Sequence, residues 1–190
     1  MYSHDEMRQH NRRRRAELTP HRLAQASQAL AHKVFALDVY RQAQRVAVYY
    51  AVNGEISLDP VIDHALAAGK QVYLPNLDHQ SLRFSPYFRE QKMRINSFRL
   101  PEPDVGDDDM LQPAELDLVL APLVAFDAGR NRIGMGGGFY DRSFAMRKDA
   151  AVCRPQLIGV AHELQKVEQI IPEKWDVRLD MVVTDQAIYR

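Results

Sequence analysis

Two hydrophobic periodicities alternate along the chain. Leu23, Ala26, Leu30, Val34 and Leu37 recur at spacings of three and four, one apolar face of a helix. Thr19-Pro20 stands just before that run, an N-cap residue with proline in the first helical position. Residues 4–18 predict another helix, highly charged, with Arg8 and then Arg12 to Arg15. Arg45-Val-Ala-Val-Tyr-Tyr-Ala51 reads as a strand, rich in β-branched and aromatic types. Asp59-Pro60 opens a further helix and Gly69 closes it. Gln71-Val-Tyr-Leu-Pro75 is the next strand, so this strand–helix–strand order predicts a right-handed parallel crossover. Leu82 to Tyr87 predicts a short strand. Leu116 to Val124 is almost continuously apolar, as a strand covered on both faces should be. Leu157 to Ala161 and Met181 to Thr184 give two more strands. The pattern predicts one α/β layered domain over residues 1–190 with a mostly parallel sheet.

Composition narrows the class. The chain has 190 residues, 46% of them hydrophobic, enough for a sizeable core. Its 25 basic residues balance 25 acidic ones, which argues against a general nucleic-acid binder. No apolar run reaches the length needed to span a bilayer, and the polar, arginine-rich N-terminus lacks the apolar stretch of a secretory signal. The one cysteine, Cys153, cannot form an internal disulfide or a Cys-rich zinc site. The expectation is a cytoplasmic protein with small-molecule ligands, a monomer or a weak homo-oligomer. The acidic run Asp107 to Asp109 lies among three prolines and reads as a solvated loop. The histidines show no ligand spacing, and His162 reads as an ordinary loop residue after a strand.

The stretch richest in chemistry is Arg130-Asn-Arg-Ile-Gly-Met-Gly-Gly-Gly-Phe-Tyr-Asp-Arg142. Gly134, Gly136, Gly137 and Gly138 permit backbone angles closed to other residues and let a ligand approach the backbone. The loop follows a strand and precedes a helix predicted from about Gly138 to Arg147, an arrangement suited to phosphate. It is not a P-loop, because Phe139-Tyr140 stand where Lys and Ser or Thr belong. It is not a dinucleotide fingerprint either, because Phe139 replaces the last glycine. A bend that only turns the chain remains open from the glycines alone. The flanking cations Arg130, Arg132 and Arg142 favour a polyphosphate. Asp141 can serve as a capping charge or hold Mg²⁺.

Arg132 to Arg142 resembles the signature of the 5-formyltetrahydrofolate cyclo-ligase family. Other segments match in the same order. The arginines before Leu18-Thr19-Pro20 resemble its basic N-terminal helix. Tyr50-Ala-Val-Asn-Gly-Glu-Ile-Ser57 resembles its strand-end segment with a substrate-binding glutamate. Leu120 to Asp127 resembles the strand leading into the signature, and Trp175 to Thr184 the C-terminal strand. The resemblance implies a three-layer α/β/α fold of the kind found in glucosamine-6-phosphate deaminase, ribose-5-phosphate isomerase and CoA transferases. It implies ATP- and Mg²⁺-dependent closure of 5-formyltetrahydrofolate to 5,10-methenyltetrahydrofolate.

It also implies residue roles. Arg8, Arg132, Ile133, Gly134, Met135, Gly136, Gly137, Gly138, Phe139 and Tyr140 match ATP-binding positions. Tyr50, Glu55 and Met135 to Phe139 match substrate positions, while Asp141 and Asp180 match metal positions. Arg132 and Arg142 are the cations expected to serve the chemistry. Two departures stand out. His4 replaces a lysine common in the family, which shifts duty to Arg8 or Arg12. Asp180 stands where some relatives have no acid. Two other readings use the same loop: a sugar-phosphate isomerase-like enzyme binding a monophosphate, and a non-catalytic nucleotide-binding module.

Overall fold

The computed structural model describes residues 3–149, 151–152 and 154–190, so Cys153 lies outside the described residues. The described residues form five α-helices: α1 His4–Ala16, α2 Pro20–Phe35, α3 Asp38–Gln42, α4 Asp59–Ala67 and α5 Phe139–Ser143. The strands are β1 Arg45–Ala47, β2 Gln71–Asp78, β3 Ser81–Tyr87, β4 Met93–Ile95, β5 Pro101–Pro103, β6 Leu118–Pro122, β7 Ala125–Phe126, β8 Arg132–Ile133, β9 Gln156–Ala161, β10 Met181–Thr184 and β11 Ile188–Tyr189.

Seven of them form one sheet in the order β11-β10-β9-β6-β1-β2-β3. The five inner strands are parallel, and β11 and β3 pair antiparallel at the edges. Parallel strands need covering on both faces, and the side chains divide accordingly. Leu118, Leu120, Ile158 and Val160 join Leu30, Val34, Val61 and Ile62 of α2 and α4 on one face. Val119, Ala121, Leu157 and Ala161 join Phe126, Phe144 and Leu179 on the other. Alternation along each strand thus fills two cores. Each fully buried aliphatic side chain contributes roughly 1.5–3 kcal/mol to that packing.

Local signals set the element ends. Thr19 Oγ1 accepts from Arg22 N at the start of α2, where Pro20 needs no donor. Gly69 ends α4 at φ +72°, and its N–H bonds Leu66 O. Ser3 and Glu6 form a capping box at the start of α1. Three basic residues, Arg13 to Arg15, fill the last turn of α1 and suit the negative end of its dipole. The inward face of α1 carries Met7, Asn11 and Arg15, one turn apart.

Several expected elements are shorter than the pattern suggests, α1 and β6 by about two residues at an end and two others by more. β1 ends at Ala47, although Val48 N still bonds Tyr73 O. The helix expected to run to Arg147 stops at Ser143, and Ala145–Lys148 continues as a separate 3-10 turn. Phe144 at the junction is fully buried against Phe84 and Tyr140. Burying that ring decides the path, at the expense of helix continuity. The acidic run Asp107–Asp109 is an exposed 3-10 turn, as a solvated loop should be. Among the described residues no helix is long and apolar enough to cross a membrane.

Candidate active site

Parallel sheets place their sites at the carboxyl ends of the strands, and here three segments converge on that edge. Residues 50–57 leave β1 and carry Glu55. The signature loop follows the small β7–β8 hairpin, and α1 lies against both.

The loop's carbonyls face arginines. Arg8 Nε donates to Gly134 O at 2.9 Å, and Arg12 Nη2 to Met135 O at 3.4 Å. Arg142 Nη2 donates to Gly137 O at 2.6 Å. In a trans peptide the next N–H points opposite to the carbonyl. The amides of Met135, Gly136 and Gly138 therefore turn away from those cations. Among the described residues, no backbone N–H from Gly134 to Gly138 donates to a protein acceptor. Gly136 at φ +105° and Gly138 at φ +68° hold conformations that side chains rarely adopt. A cavity of about 530 Å³ is lined by Asp5, Arg8, Gln9, Arg12, Met135 and Gly136. The basic helix and the carbonyl face of the loop thus wall one recess, and the free amides lie on the loop's other face.

Arg132 lies deeper, its side chain only 5% exposed. It bonds Val177 O and donates through Nη2 to Asp141 Oδ1 at 2.7 Å. The same oxygen accepts from Val177 N at 3.0 Å. Asp141 Oδ2 has no protein donor among the described residues. One free carboxylate oxygen in the first turn of α5, just after the glycine loop, fits Mg²⁺, which takes one or two carboxylates and leaves its other positions to water and phosphate. Arg142 also donates through Nε to Gln80 O and lies 5.3 Å over the Phe139 ring. Phe98, at the tip of the β4–β5 hairpin, meets that ring edge-on at 5.6 Å.

Asp180 departs from the expected pairing. Its Oδ1 bonds Arg147 and its Oδ2 accepts from Leu157 N at 2.7 Å. It stands at the N-terminal ends of β9 and β10, the edge opposite to Glu55. With both oxygens engaged there, its duty is to join the two strands, and it is not brought to Asp141. No group of three or more His, Cys, Asp or Glu side chains gathers for a metal among the described residues.

Glu55 is buried, its side chain 6% exposed. Its Oε2 accepts from Val52 N at 3.1 Å, closing the turn through Asn53 and Gly54. Burial raises its carboxyl above the ordinary carboxylate range; the Val52 amide, Arg15 and Arg12 pull the other way. Burial also pushes the Tyr140 phenol far up, with Glu55 adding to the rise and Arg132 opposing it. Glu55 and the signature helix therefore share one low-dielectric region. Tyr50 is 47% exposed and lines a second cleft of about 480 Å³ with Glu55, Leu23, Ser27, Ser57 and Leu58. Met135 and Gly136 of the signature loop line the basic recess, whereas the Tyr50 cleft is walled by α2, α4 and residues 49–58.

Arg15 and His162 belong to this region although the site roles inferred from sequence omit them, and Arg12, expected there only as an alternative to Arg8, joins them. His162 is 3% exposed, and its Nε2 lies 3.1 Å from Gly54 O in the turn that carries Glu55. The spacing of Met7, Asn11 and Arg15 is a readable signal for Arg15. His162 has no such signal, because its partner is 108 residues away.

Known proteins match most of the chain. A 5-formyltetrahydrofolate cyclo-ligase of Escherichia coli K12 is 36% identical over 181 residues, covering 94% of this chain and 98% of the relative. One from Haemophilus influenzae is 37% identical over 171 residues, covering 88% and 90%. The NMR structure of a 5,10-methenyltetrahydrofolate synthetase from Aquifex aeolicus superposes with a TM-score of 0.83 at 24% identity, covering 98% and 92%; it shows the shared fold. The profile of the 5-formyltetrahydrofolate cyclo-ligase family spans residues 1–185, and with these relatives it places the chain in that family.

Proposed function

We propose that the chain closes 5-formyltetrahydrofolate to 5,10-methenyltetrahydrofolate at the cost of ATP, releasing ADP and phosphate. The observation that carries this reading is the loop's polarity. Its carbonyls are tied to Arg8, Arg12 and Arg142, and its amides from Gly134 to Gly138 have no protein acceptor. Free amides on one face of the loop and arginines on the other offer phosphate oxygens two sets of donors. The names of the relatives supply the folate.

The chemistry explains why two recesses are needed. A formamide is a poor electrophile, because its nitrogen donates into the carbonyl. Moving the γ-phosphoryl group onto the formyl oxygen turns that oxygen into a phosphate leaving group. The folate's 10-nitrogen then attacks the formyl carbon, the carbon–oxygen bond breaks, and phosphate departs as the ring closes. Phosphoryl transfer depends on position and charge neutralisation. Arg8, Arg12 and the loop amides hold the nucleotide, and Arg132, kept in place by Asp141 and Val177, supplies a preorganised charge. When bound, Mg²⁺ neutralises phosphate charge, with the free oxygen of Asp141 as its protein ligand. Tyr50 and Glu55 hold the folate, the glutamate accepting from ring N–H groups.

An isomerase would ask Asp141 to act as a base, yet a guanidinium and a backbone amide already hold it. The test is direct. Mixing the protein with 5-formyltetrahydrofolate, Mg²⁺ and ATP should raise the near-ultraviolet absorption of the methenyl product, with one ADP formed per turnover. ATP binding without that signal would reduce the chain to a nucleotide-binding module.

A further inference from the structure

Arg15 is a buried cation that neither recess uses directly. It sits in the last turn of α1, with its side chain 3% exposed. Its Nη1 lies 3.7 Å from Glu55 Oε1, and both Nε and Nη1 lack a hydrogen-bond partner. Asn11, one turn earlier on the same face, is fully buried with neither amide atom partnered. A helix face at positions 7, 11 and 15 that only packed would carry apolar residues throughout. The turn holding Glu55 is fitted to this spot, because a Cβ on Gly54 would fall 3.0 Å from Arg15 O.

We propose that Arg15 is a positioning residue for the folate, holding Glu55 from beneath α1 as an oriented carboxylate at the wall of the Tyr50 cleft. This rests on the reading that Glu55 binds the folate. A buried carboxylate without a cation takes up a proton. A protonated Glu55 would present an O–H and lose acceptor capacity toward ring N–H donors. Val52 N anchors one oxygen, and Arg15 faces the other. The groups around Glu55 are Arg15 and Arg12 of α1, Tyr49 beyond β1 and Tyr140 of α5. His162, itself facing Asp185 and Arg15, touches its turn through Gly54 O. Of these, only Arg15 pairs with the carboxylate within 4 Å among the described residues.

Stability alone does not test this, since a buried ion pair can often be replaced by apolar groups without loss. The discriminating measurement is 5-formyltetrahydrofolate binding by calorimetry from pH 5 to 8. Binding to the unmodified chain should weaken in acid as Glu55 protonates. In Arg15→Met the weakening should begin at higher pH, so that acid-limb affinity falls about tenfold for each unit the carboxylate moves. Arg15→Lys should restore part of the original profile. Glu55→Gln should remove this pH dependence, and adding Arg15→Met to it should then change little. Arg15→Gln, uncharged but polar, replaces Arg15→Met if the latter fails to fold. An Arg15→Met or Arg15→Gln profile that overlays the original would overturn the proposal. Tight binding by Glu55→Gln would remove the folate role of Glu55 and Arg15 together. Because the readout is binding, absence of ATP-dependent turnover would count against the proposed reaction only.

Discussion

Gly138 shows how much of the loop depends on single residues. It sits at φ +68°, and an added Cβ would collide with Arg142 Nη1. Arg142 can swing aside, but it then loses Gly137 O and Gln80 O. Gly138→Ala should therefore cost about 1–2 kcal/mol for the left-handed backbone. A melting curve should show a drop of roughly 2–4 °C per kcal/mol. The functional loss should be larger, roughly a hundredfold in kcat/KM for ATP, because the amides move with the loop. An unchanged ATP dependence would remove those amides from the nucleotide site. Asp141→Asn keeps the shape of its side chain but weakens its hold on Arg132 and on a metal. The Mg²⁺ needed for half-maximal turnover should rise by about 10–100-fold. If it does not move, Asp141 serves only to anchor Arg132. Chain spacing made the glycines and their flanking arginines legible. It could not show that the loop's carbonyls turn toward the arginines, since that follows from peptide orientations set by α1, far away in sequence.

At the scale of elements, the hydrophobic pattern located the main-sheet strands β1, β2, β3, β6, β9 and β10 and the helix α2, because burial and periodicity agree there, while the charged run marked α1 and the Asp59-Pro60 and Gly69 signals marked α4. It failed where tertiary contacts override local preference. Val48 and Tyr49 are apolar like β1, but their burial serves the core after the ladder has ended. The signature helix breaks where Ser143 Oγ accepts from Leu82 N at 2.7 Å and Phe144 turns into the core. Strand order was not legible either, since β6 enters between β1 and β9 through long connections from β3 and to β9. That order makes Gly159, in the middle of β9, a packing constraint. A Cβ there would lie 2.6 Å from Leu179 Cδ1 and 2.7 Å from Leu123 Cδ2. Gly159→Ala should destabilise by about 1–3 kcal/mol through overpacking, visible as a lower denaturant midpoint. Its KM values for ATP and folate should stay near normal, because the substitution lies inside the sheet. A loss of activity at unchanged stability would contradict this division between core and site.

Over the whole molecule, the site and the stability of the fold are linked through pH. His162 is buried, which lowers its pKa below the ordinary 6.5; Asp185 and the Gly54 contact oppose the shift. Below the unfolded value the unfolded chain binds more protons than the native one at this position. Stability therefore falls as pH drops through that range. Glu55 works in the opposite sense. Its raised pKa means that the native state holds a proton just above 4.5 that the unfolded chain has lost, so its contribution falls as pH rises there. The two slopes oppose each other in mildly acidic solution, and both groups hold the Asn53-Gly54 turn. Replacing one should expose the other. His162→Gln, which can still donate to Gly54 O, should flatten the loss of stability between pH 7.5 and 5.5. Glu55→Gln should steepen the loss just above pH 4.5, because the opposing term is gone there. Urea midpoints at the two pH values decide the matter: if His162→Gln loses as much stability on acidification as the unmodified chain, His162 is not the group that the acid unfolds.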